Sequence, residues 1–221
     1  MPQFQPLNRS SNLWLAEALW ELGAVQFGSF TLGRTTVDSP VYVNLRLLIS
    51  HPTALWRAAH IIWDDLQALQ SMRNPQAQPF DRVAGVPFGG LHVSTAFSLT
   101  AKVPMIYLHP RADDLGSDVE GIYHPNDRAL IMDDLLAGGG SIMETALQLG
   151  EAGLIVRDAV VLLDRQQGGR ERLRGQGINL ISLLTLEVLL NYLVSNDKIN
   201  EEKYRQSMEF LETHRHLEEG S

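Results

Sequence analysis

Short apolar runs alternate with helical patterns through most of this chain, and this alternation limits the possible folds more than any other feature of the sequence. Strands are predicted at residues 82–86, 105–108, 129–132, 159–163 and 179–184, and helices at 91–100 and 141–149. Repeated strand–helix units with apolar strands predict a parallel sheet that helices cover on both faces. We therefore predict an α/β fold and look for function just after each strand, because ligands bind at the carboxyl ends of such strands.

The N-terminal part of the chain has a different pattern. A helix is predicted from Ser10 or Ser11 to about Leu22, followed by two short strands at 27–32 and 41–45 with a polar turn at 35–39 between them. A long helix is predicted at 52–69. The stretch of roughly 18 residues after Leu108 has no apolar periodicity and is predicted to be a loop.

Composition excludes several classes of function. The net charge of -8 argues against a broad nucleic-acid surface, although a local anion pocket built from backbone amides remains possible. The chain has no cysteine, which excludes disulfides and thiolate metal sites, and the histidines show no paired metal-binding spacing. No apolar run approaches the length of a membrane span, and residues 1–9 lack a secretory signal pattern. We expect a cytoplasmic protein that binds neither nucleic acid nor membrane.

The segment from Arg128 to Thr145 is the most informative part of the chain. Four apolar residues lead into two adjacent carboxylates, Asp133 and Asp134. Such carboxylates can accept hydrogen bonds from vicinal hydroxyls, or can hold a hydrated Mg²⁺ through water. The glycines at 138–140 allow the backbone to approach a ligand closely, and Ser141 adds a hydroxyl where the free amides of the next helix begin. This combination predicts a site for the phosphate and hydroxyls of a phosphorylated ribose.

A tight strand-to-helix turn with an acidic cap is the structural alternative for this segment. Three glycines alone would favour that alternative, but the acidic pair on an apolar strand favours ligand binding. The segment 86–90 has two comparable interpretations: its amides bind a second anion, or it is only a Pro-Gly turn.

Several motifs together resemble the type I phosphoribosyltransferases. Residues 130–145 are similar to the phosphoribosyl diphosphate signature of that superfamily, and other segments resemble its orotate phosphoribosyltransferase branch. These segments are Phe27-Gly-Ser-Phe-Thr-Leu32, Ser39-Pro-Val-Tyr-Val-Asn44, Gly85-Val-Pro-Phe-Gly-Gly90, Asp164-Arg-Gln-Gln-Gly-Gly169 and Thr185-Leu186. The order and spacing agree from about Leu13 to Leu211. The resemblance implies a Rossmann-like parallel sheet flanked by helices, in a single domain over 1–221 whose residues 10–50 form an N-terminal helix and a small hood over the nucleobase.

The resemblance also implies an activity and a set of site residues. The reaction would be transfer of ribose 5-phosphate from phosphoribosyl diphosphate to orotate, with Mg²⁺ bound mainly through the substrate, in a homodimer. Asp133 and Asp134 would be the catalytic pair that holds the ribose hydroxyls. The implied substrate-binding residues are Tyr42 and Val43 at the pyrimidine, Phe88, Gly89 and Gly90 at the pyrophosphate, Ala137, Gly138, Gly139, Gly140 and Ser141 at the 5-phosphate, and Arg165 at the orotate carboxylate. For Arg165 the alternative is a surface ion pair with Asp164 or Glu171, for Tyr42 and Val43 it is hood core, and Arg34 is an uncertain match to a phosphate-binding Lys.

The sequence departs from the family in the loop after Leu108. The family usually reads Arg-Lys, two residues, Lys, one residue, His-Gly, where this chain has His109, Pro110, Asp113, Leu115 and Gly116. The missing cations would neutralise charge on the departing pyrophosphate, and losing one such contact typically costs roughly 3–4 kcal/mol. His109 and Arg111 remain candidates for a partial substitute. In the glycine loop, Ala137 and Gly140 stand where the family has hydroxyl residues.

Three functions are therefore compared. The first is an active orotate phosphoribosyltransferase, and the sequence leans toward an enzyme. The second is a nucleotide-binding or regulatory paralogue that has lost the chemistry, which the missing lysines favour. The third is a transferase for another base, against which the hood and Arg165 argue.

Overall fold

The computed structural model describes residues 12–32, 36–110 and 117–215. Its helices are α1 (Leu13–Glu21), α2 (Pro52–Gln70), α3 (Gly89–Ala101), α4 (Gly140–Glu151), α5 (Gly169–Gly175), α6 (Leu186–Ser195) and α7 (Glu201–Arg215), and a 3₁₀ helix covers Leu45–Ser50. Its strands are β1 (Val25–Leu32), β2 (Thr36–Val43), β3 (Arg82–Gly85), β4 (Met105–Pro110), β5 (Ser117–Glu120), β6 (Arg128–Leu136), β7 (Ile155–Asp164) and β8 (Asn179–Thr185).

Two sheets organise these elements. A six-stranded sheet has the order β5-β4-β3-β6-β7-β8, and all its neighbouring strands are parallel except β4 and β5. Strands β1 and β2 form a separate antiparallel pair, which is the hood. The predicted α/β class, with a parallel sheet and an N-terminal hood, is confirmed.

The apolar core forms two layers, one on each face of the six-stranded sheet, and the side chains of β6 alternate between them. In β6, Leu130 and Met132 join one apolar cluster, and Ile131 joins the other, because successive side chains of a strand point to opposite faces. The first cluster includes residues of the hood and of α1, α2, α3, α6 and α7. The second lies under α4 and α5. Helices therefore cover both faces of the sheet, as the apolar strands predicted. No helix in the described ranges is both long and apolar enough to cross a membrane.

The structure corrects several predicted boundaries; β7, for example, begins at Ile155 instead of at residue 159. Strand β2 begins at Thr36, so most of the predicted turn at 35–39 is strand that pairs with β1, and Leu45 starts the 3₁₀ helix instead of ending a strand. The predicted loop after Leu108 contains β5, whose polar residues pair antiparallel with β4. Strand β6 continues to Leu136, because its ladder with β7 runs on to Asp164, and the acidic pair therefore lies inside the strand.

Candidate active site

The acidic pair near the end of β6 occupies a largely dry environment. Asp133 is 8% exposed, and its Oδ1 accepts the amide hydrogen of Asp134 at 2.8 Å. The amide of Gly90 also donates to the carboxyl of Asp133. Burial, followed by the nearby charge of Asp134, raises the pKa of Asp133 well above its usual range. Asp133 therefore holds its proton more strongly than an ordinary aspartate, while Asp134 is only half-buried.

The start of α3 packs directly on this acidic pair. A Cβ atom at Gly89 would collide with the carboxylate of Asp134, and one at Gly90 would collide with the carbonyl oxygen of Met132. Position 90 therefore needs glycine because its neighbour is backbone, whereas a side chain at position 89 would only have to displace the Asp134 carboxylate. The peptide bond between Pro87 and Phe88 is cis. The loop between β3 and α3 thus brings its backbone against the carboxyl end of β6.

The glycine loop after β6 leaves backbone amides free at the start of α4. Gly139 has a φ of 79°, in the left-handed region, and α4 begins at the next residue. Within the described ranges, no acceptor from the chain takes the amides of residues 138–141. Arg172 holds the loop from behind, because its Nη1 donates to the carbonyl oxygen of Gly138 at 2.9 Å. Free amides at the start of a helix form a ready anion site.

Arg165 links the sheet to the hood. It follows β7 directly, is 3% exposed, and its Nη2 donates to Ser39 Oγ at 3.0 Å and to the carbonyl oxygen of Val41 at 3.4 Å. Its Nε has no hydrogen-bond partner among the described residues. Burial lowers the pKa of Arg165 to about 10, so the guanidinium remains charged at neutral pH.

The alternative of a surface ion pair for Arg165 is wrong. The side chain is buried, and Asp164 pairs with Arg170 at 3.0 Å instead. A buried cation with an unused N–H group is suited to an anionic ligand group, because a charge removed from water needs a partner.

These elements enclose one cavity of about 700 Å³. The hood contributes Phe30, Thr31, Tyr42 and Val43 to its wall. The sheet edge contributes Pro87, Gly89, Asp133, Asp134, Leu135 and Arg165, and the loop into α4 contributes Ala137 and Ser141. A volume of this size holds a nucleotide-sized ligand, since small-molecule sites range over roughly 300–1,000 Å³.

The structure places the other predicted residues away from the cavity wall. The Phe88 side chain is 77% exposed, and Gly90 is buried against Met132. Gly138, Gly139 and Gly140 shape the loop between Ala137 and Ser141 without lining the cavity. His109 is exposed on β4. Arg34 and Arg111 lie outside the described residues.

Sequence reasoning missed the part of the wall that follows the hood. Asn44, Leu45 and Arg46 line the cavity at the start of the 3₁₀ helix. Arg46 Nη2 donates to Tyr42 Oη at 3.1 Å, and its Nε donates to Asn44 Oδ1 at 3.3 Å. The sequence did contain an indication, namely a basic residue immediately after the second hood strand. It was overlooked because that strand was predicted to run to residue 45 instead of ending at Val43.

Comparison with known proteins decides the family. No family model matches the chain. The orotate phosphoribosyltransferase of Chlamydia caviae is 35% identical over 202 residues, which cover 88% of this chain and 92% of that protein. The chain belongs to the orotate phosphoribosyltransferase family. The resemblance stated from the sequence motifs is thereby confirmed.

Two longer proteins contain a region similar to this family member. Uridine 5'-monophosphate synthase of Bos taurus is 37% identical over 200 residues, which cover 90% of this chain and 40% of that protein. The solved structure of Leishmania donovani UMP synthase is 31% identical, with a TM-score of 0.81 over 93% of this chain and 43% of that chain. The chain therefore spans about two fifths of the length of these two relatives.

Proposed function

We propose that the protein transfers ribose 5-phosphate from phosphoribosyl diphosphate to orotate, giving orotidine 5'-monophosphate and pyrophosphate. The observation that carries this proposal is Arg165, a buried guanidinium with an unused N–H group that faces the same cavity as the acidic pair and the glycine loop. Membership of the orotate phosphoribosyltransferase family supports it.

The base would lie between the hood and the end of β7. Arg165 would receive the orotate carboxylate, because a guanidinium binds a carboxylate through two parallel hydrogen bonds. Phe30 and Tyr42, whose ring centroids are 5.6 Å apart, would form the wall beside the pyrimidine together with Val43. The third candidate, a transferase for another base, does not account for a buried cation at this position.

The donor would lie along the carboxyl edge of β3 and β6. The free amides of residues 138–141 would bind the 5-phosphate. Asp133 and Asp134 would accept hydrogen bonds from the ribose hydroxyls, and the loop at Pro87 and Gly89 would face the diphosphate.

The residues present fit a magnesium ion that is held mainly by the substrate. No group of three or more His, Asp or Glu side chains in the described part of the chain could hold a metal ion by itself. Mg²⁺ usually keeps several waters and binds one or two carboxylates plus substrate phosphates, which matches the acidic pair beside the donor site. When bound, the ion would neutralise part of the charge of the diphosphate.

The proposed reaction needs the two substrates to be held in the right orientation, and it does not need a nucleophilic side chain of the protein. The bond between the anomeric carbon and the diphosphate oxygen breaks, and its electron pair leaves with pyrophosphate. A ring nitrogen of orotate, after losing its proton to solvent, forms the new bond to that carbon. Positive charge develops on the ribose during the exchange, and the adjacent carboxylate of Asp134 would stabilise it.

A nucleotide-binding protein without turnover is the second candidate. It is favoured by the loop after β4, where His109, Pro110, Asp113 and Leu115 replace the basic residues of the family. Asp113 and Asp114 would repel a diphosphate instead of attracting it.

A steady-state assay with orotate, phosphoribosyl diphosphate and Mg²⁺ tests the proposal. Formation of orotidine 5'-monophosphate supports the enzyme. Tight binding of donor or nucleotide with no turnover at micromolar protein supports the second candidate, and binding of neither ligand contradicts both.

We further propose a homodimer located in the cytoplasm, and light scattering of the purified protein would measure its mass in solution.

A further inference from the structure

Arg46 is a cation on the cavity wall to which the proposed reaction assigns no ligand group. It is the second residue of the 3₁₀ helix, and Tyr42 Oη and Asn44 Oδ1 hold its guanidinium at 3.1 and 3.3 Å. Both contacts are with neutral acceptors, so they orient the side chain without cancelling its charge.

Three other arginines of the described residues have a carboxylate partner that cancels part of their charge. Arg82 contacts Asp127 at 3.0 Å, Arg128 contacts Asp81 at 3.2 Å, and Arg170 contacts Asp164 at 3.0 Å. Among the described residues, no carboxylate forms such an ion pair with Arg46. A positive charge oriented by neutral groups at the wall of a cavity is available to an anionic ligand.

Arg46 shares a cavity with the loop between β3 and α3, which the proposed function assigns to the diphosphate. The 3₁₀ helix packs against α3 and β6, and α3 begins at Gly89. Arg46 lines the same cavity as Pro87 and Gly89. Arg165 is the other cation on the described part of the wall, and it is buried against Ser39 and Val41 of the hood.

The two substrates carry three anionic groups, and the diphosphate is the one with the fewest protein donors assigned to it. In the proposed function, the free amides of residues 138–141 bind the 5-phosphate, and Arg165 binds the carboxylate of the base. The loop at the diphosphate end offers fewer donors, because the amide of Gly90 is already used by Asp133 and residues 86–90 include no basic side chain. In this chain the usual loop lysines cannot fill the gap, since Pro110 and Asp113 stand at their positions.

We propose that Arg46 binds the diphosphate of the donor and the departing pyrophosphate, and that the Tyr42 hydroxyl orients it. This inference rests on the proposed function and deepens it, because it assigns a protein cation to the leaving group. Arg46 would then supply from the 3₁₀ helix part of the charge that the family usually supplies from the loop after β4.

Calorimetric titration of wild-type protein and Arg46→Gln tests this assignment. The ligands are phosphoribosyl diphosphate and pyrophosphate, each with Mg²⁺, and orotidine 5'-monophosphate, which has no diphosphate. Loss of a charge-assisted contact predicts donor and pyrophosphate binding weakened about tenfold to a hundredfold, with nucleotide binding changed less than about threefold. Tyr42→Phe should weaken donor binding in the same direction by a smaller factor. Arg157→Gln is the matched control, because Arg157 is exposed at the start of β7, at the opposite edge of the sheet.

Each outcome of this titration separates the two proposals. Unchanged donor affinity in Arg46→Gln, or an equal loss for donor and nucleotide, would overturn the assignment and leave the proposed function standing. Wild-type protein that binds none of the three ligands would remove the proposed function and this inference with it.

Discussion

Asp133 is a buried carboxyl beside a second one, and this environment affects the stability of the protein. Burial and the charge of Asp134 raise its pKa, so the folded chain binds a proton that the unfolded chain releases. The contribution of Asp133 to stability therefore falls as the pH rises from the ordinary aspartate value through the raised one. The backbone amides of Asp134 and Gly90 donate to the carboxyl, and these hydrogen bonds partly oppose the increase in its pKa.

Asp133→Asn should stabilise the ligand-free protein at neutral pH. The amide oxygen can still accept from the amides of Gly90 and Asp134, and no buried charge remains. We expect a Tm about 2–4 °C higher at pH 7, equivalent to roughly 1 kcal/mol, with the difference shrinking toward pH 4. Thermal unfolding across this pH range measures it. Asp64→Asn, at an exposed position on α2, should show no such pH-dependent gain, and a lower Tm for Asp133→Asn at pH 7 would contradict the argument.

Arg165→Lys should weaken the use of orotate more than the use of the donor. An ammonium group cannot reproduce the paired hydrogen bonds of a guanidinium, and charge-assisted hydrogen bonds contribute roughly 1.5–3 kcal/mol. We expect the KM for orotate to rise about tenfold to a hundredfold, with the KM for phosphoribosyl diphosphate nearly unchanged. Arg174→Lys, on the exposed face of α5, is the control. Equal changes in the two KM values would show that Arg165 acts through the fold instead of the base.

At the scale of elements, the sequence predicted the strands and helices whose pattern is local. The long helix at 52–69 and the strand–helix units around the glycine loop are confirmed within a few residues. The first half of β2 and all of β5 were missed because polar residues interrupt any apolar pattern there, and their pairing with β1 and β4 makes them strands. The extension of β6 through its acidic pair depends likewise on its ladder with β7.

The packing of α3 on β6 gives a prediction for two glycines. Gly90→Ala places a methyl group against the carbonyl oxygen of Met132, and such overpacking typically costs about 1–3 kcal/mol. The Tm should fall by roughly 2–12 °C. Gly140→Ala is the matched variant, because a Cβ at Gly140 meets nothing within 4 Å and its φ is not positive. Thermal unfolding compares the two, and a smaller loss for Gly90→Ala than for Gly140→Ala would contradict the packing described for this contact.

At the scale of the whole molecule, the site depends on contacts that no local pattern reveals. The acidic pair, the glycine loop and Arg165 were predicted because each follows or ends an apolar strand. The burial of Arg165 was not predictable, because it requires the hood: Ser39 is 126 positions away in the chain. Arg46 was missed because its place on the cavity wall depends on the 3₁₀ helix, which the sequence pattern did not predict.

The charge of the loop after β4 gives a prediction for turnover. Asp113→Lys replaces a carboxylate with the cation that the family usually has there, although position 113 lies outside the described residues. If the proposed reaction occurs, kcat/KM for the donor should rise at least about tenfold, because one electrostatic contact to a leaving group contributes up to about a hundredfold or more. Asp64→Lys makes the same change of charge on α2 and should leave the rate unchanged. No difference between these variants would show that the loop does not act on the leaving group.

A crystal structure of the protein with phosphoribosyl diphosphate and Mg²⁺ would show whether the glycine loop and the acidic pair bind the donor. We expect the 5-phosphate within hydrogen-bond distance of the amides of residues 138–141, with the ribose hydroxyls on Asp133 and Asp134. A donor bound elsewhere, or bound in this cavity with its phosphate away from the glycine loop, would contradict this expectation.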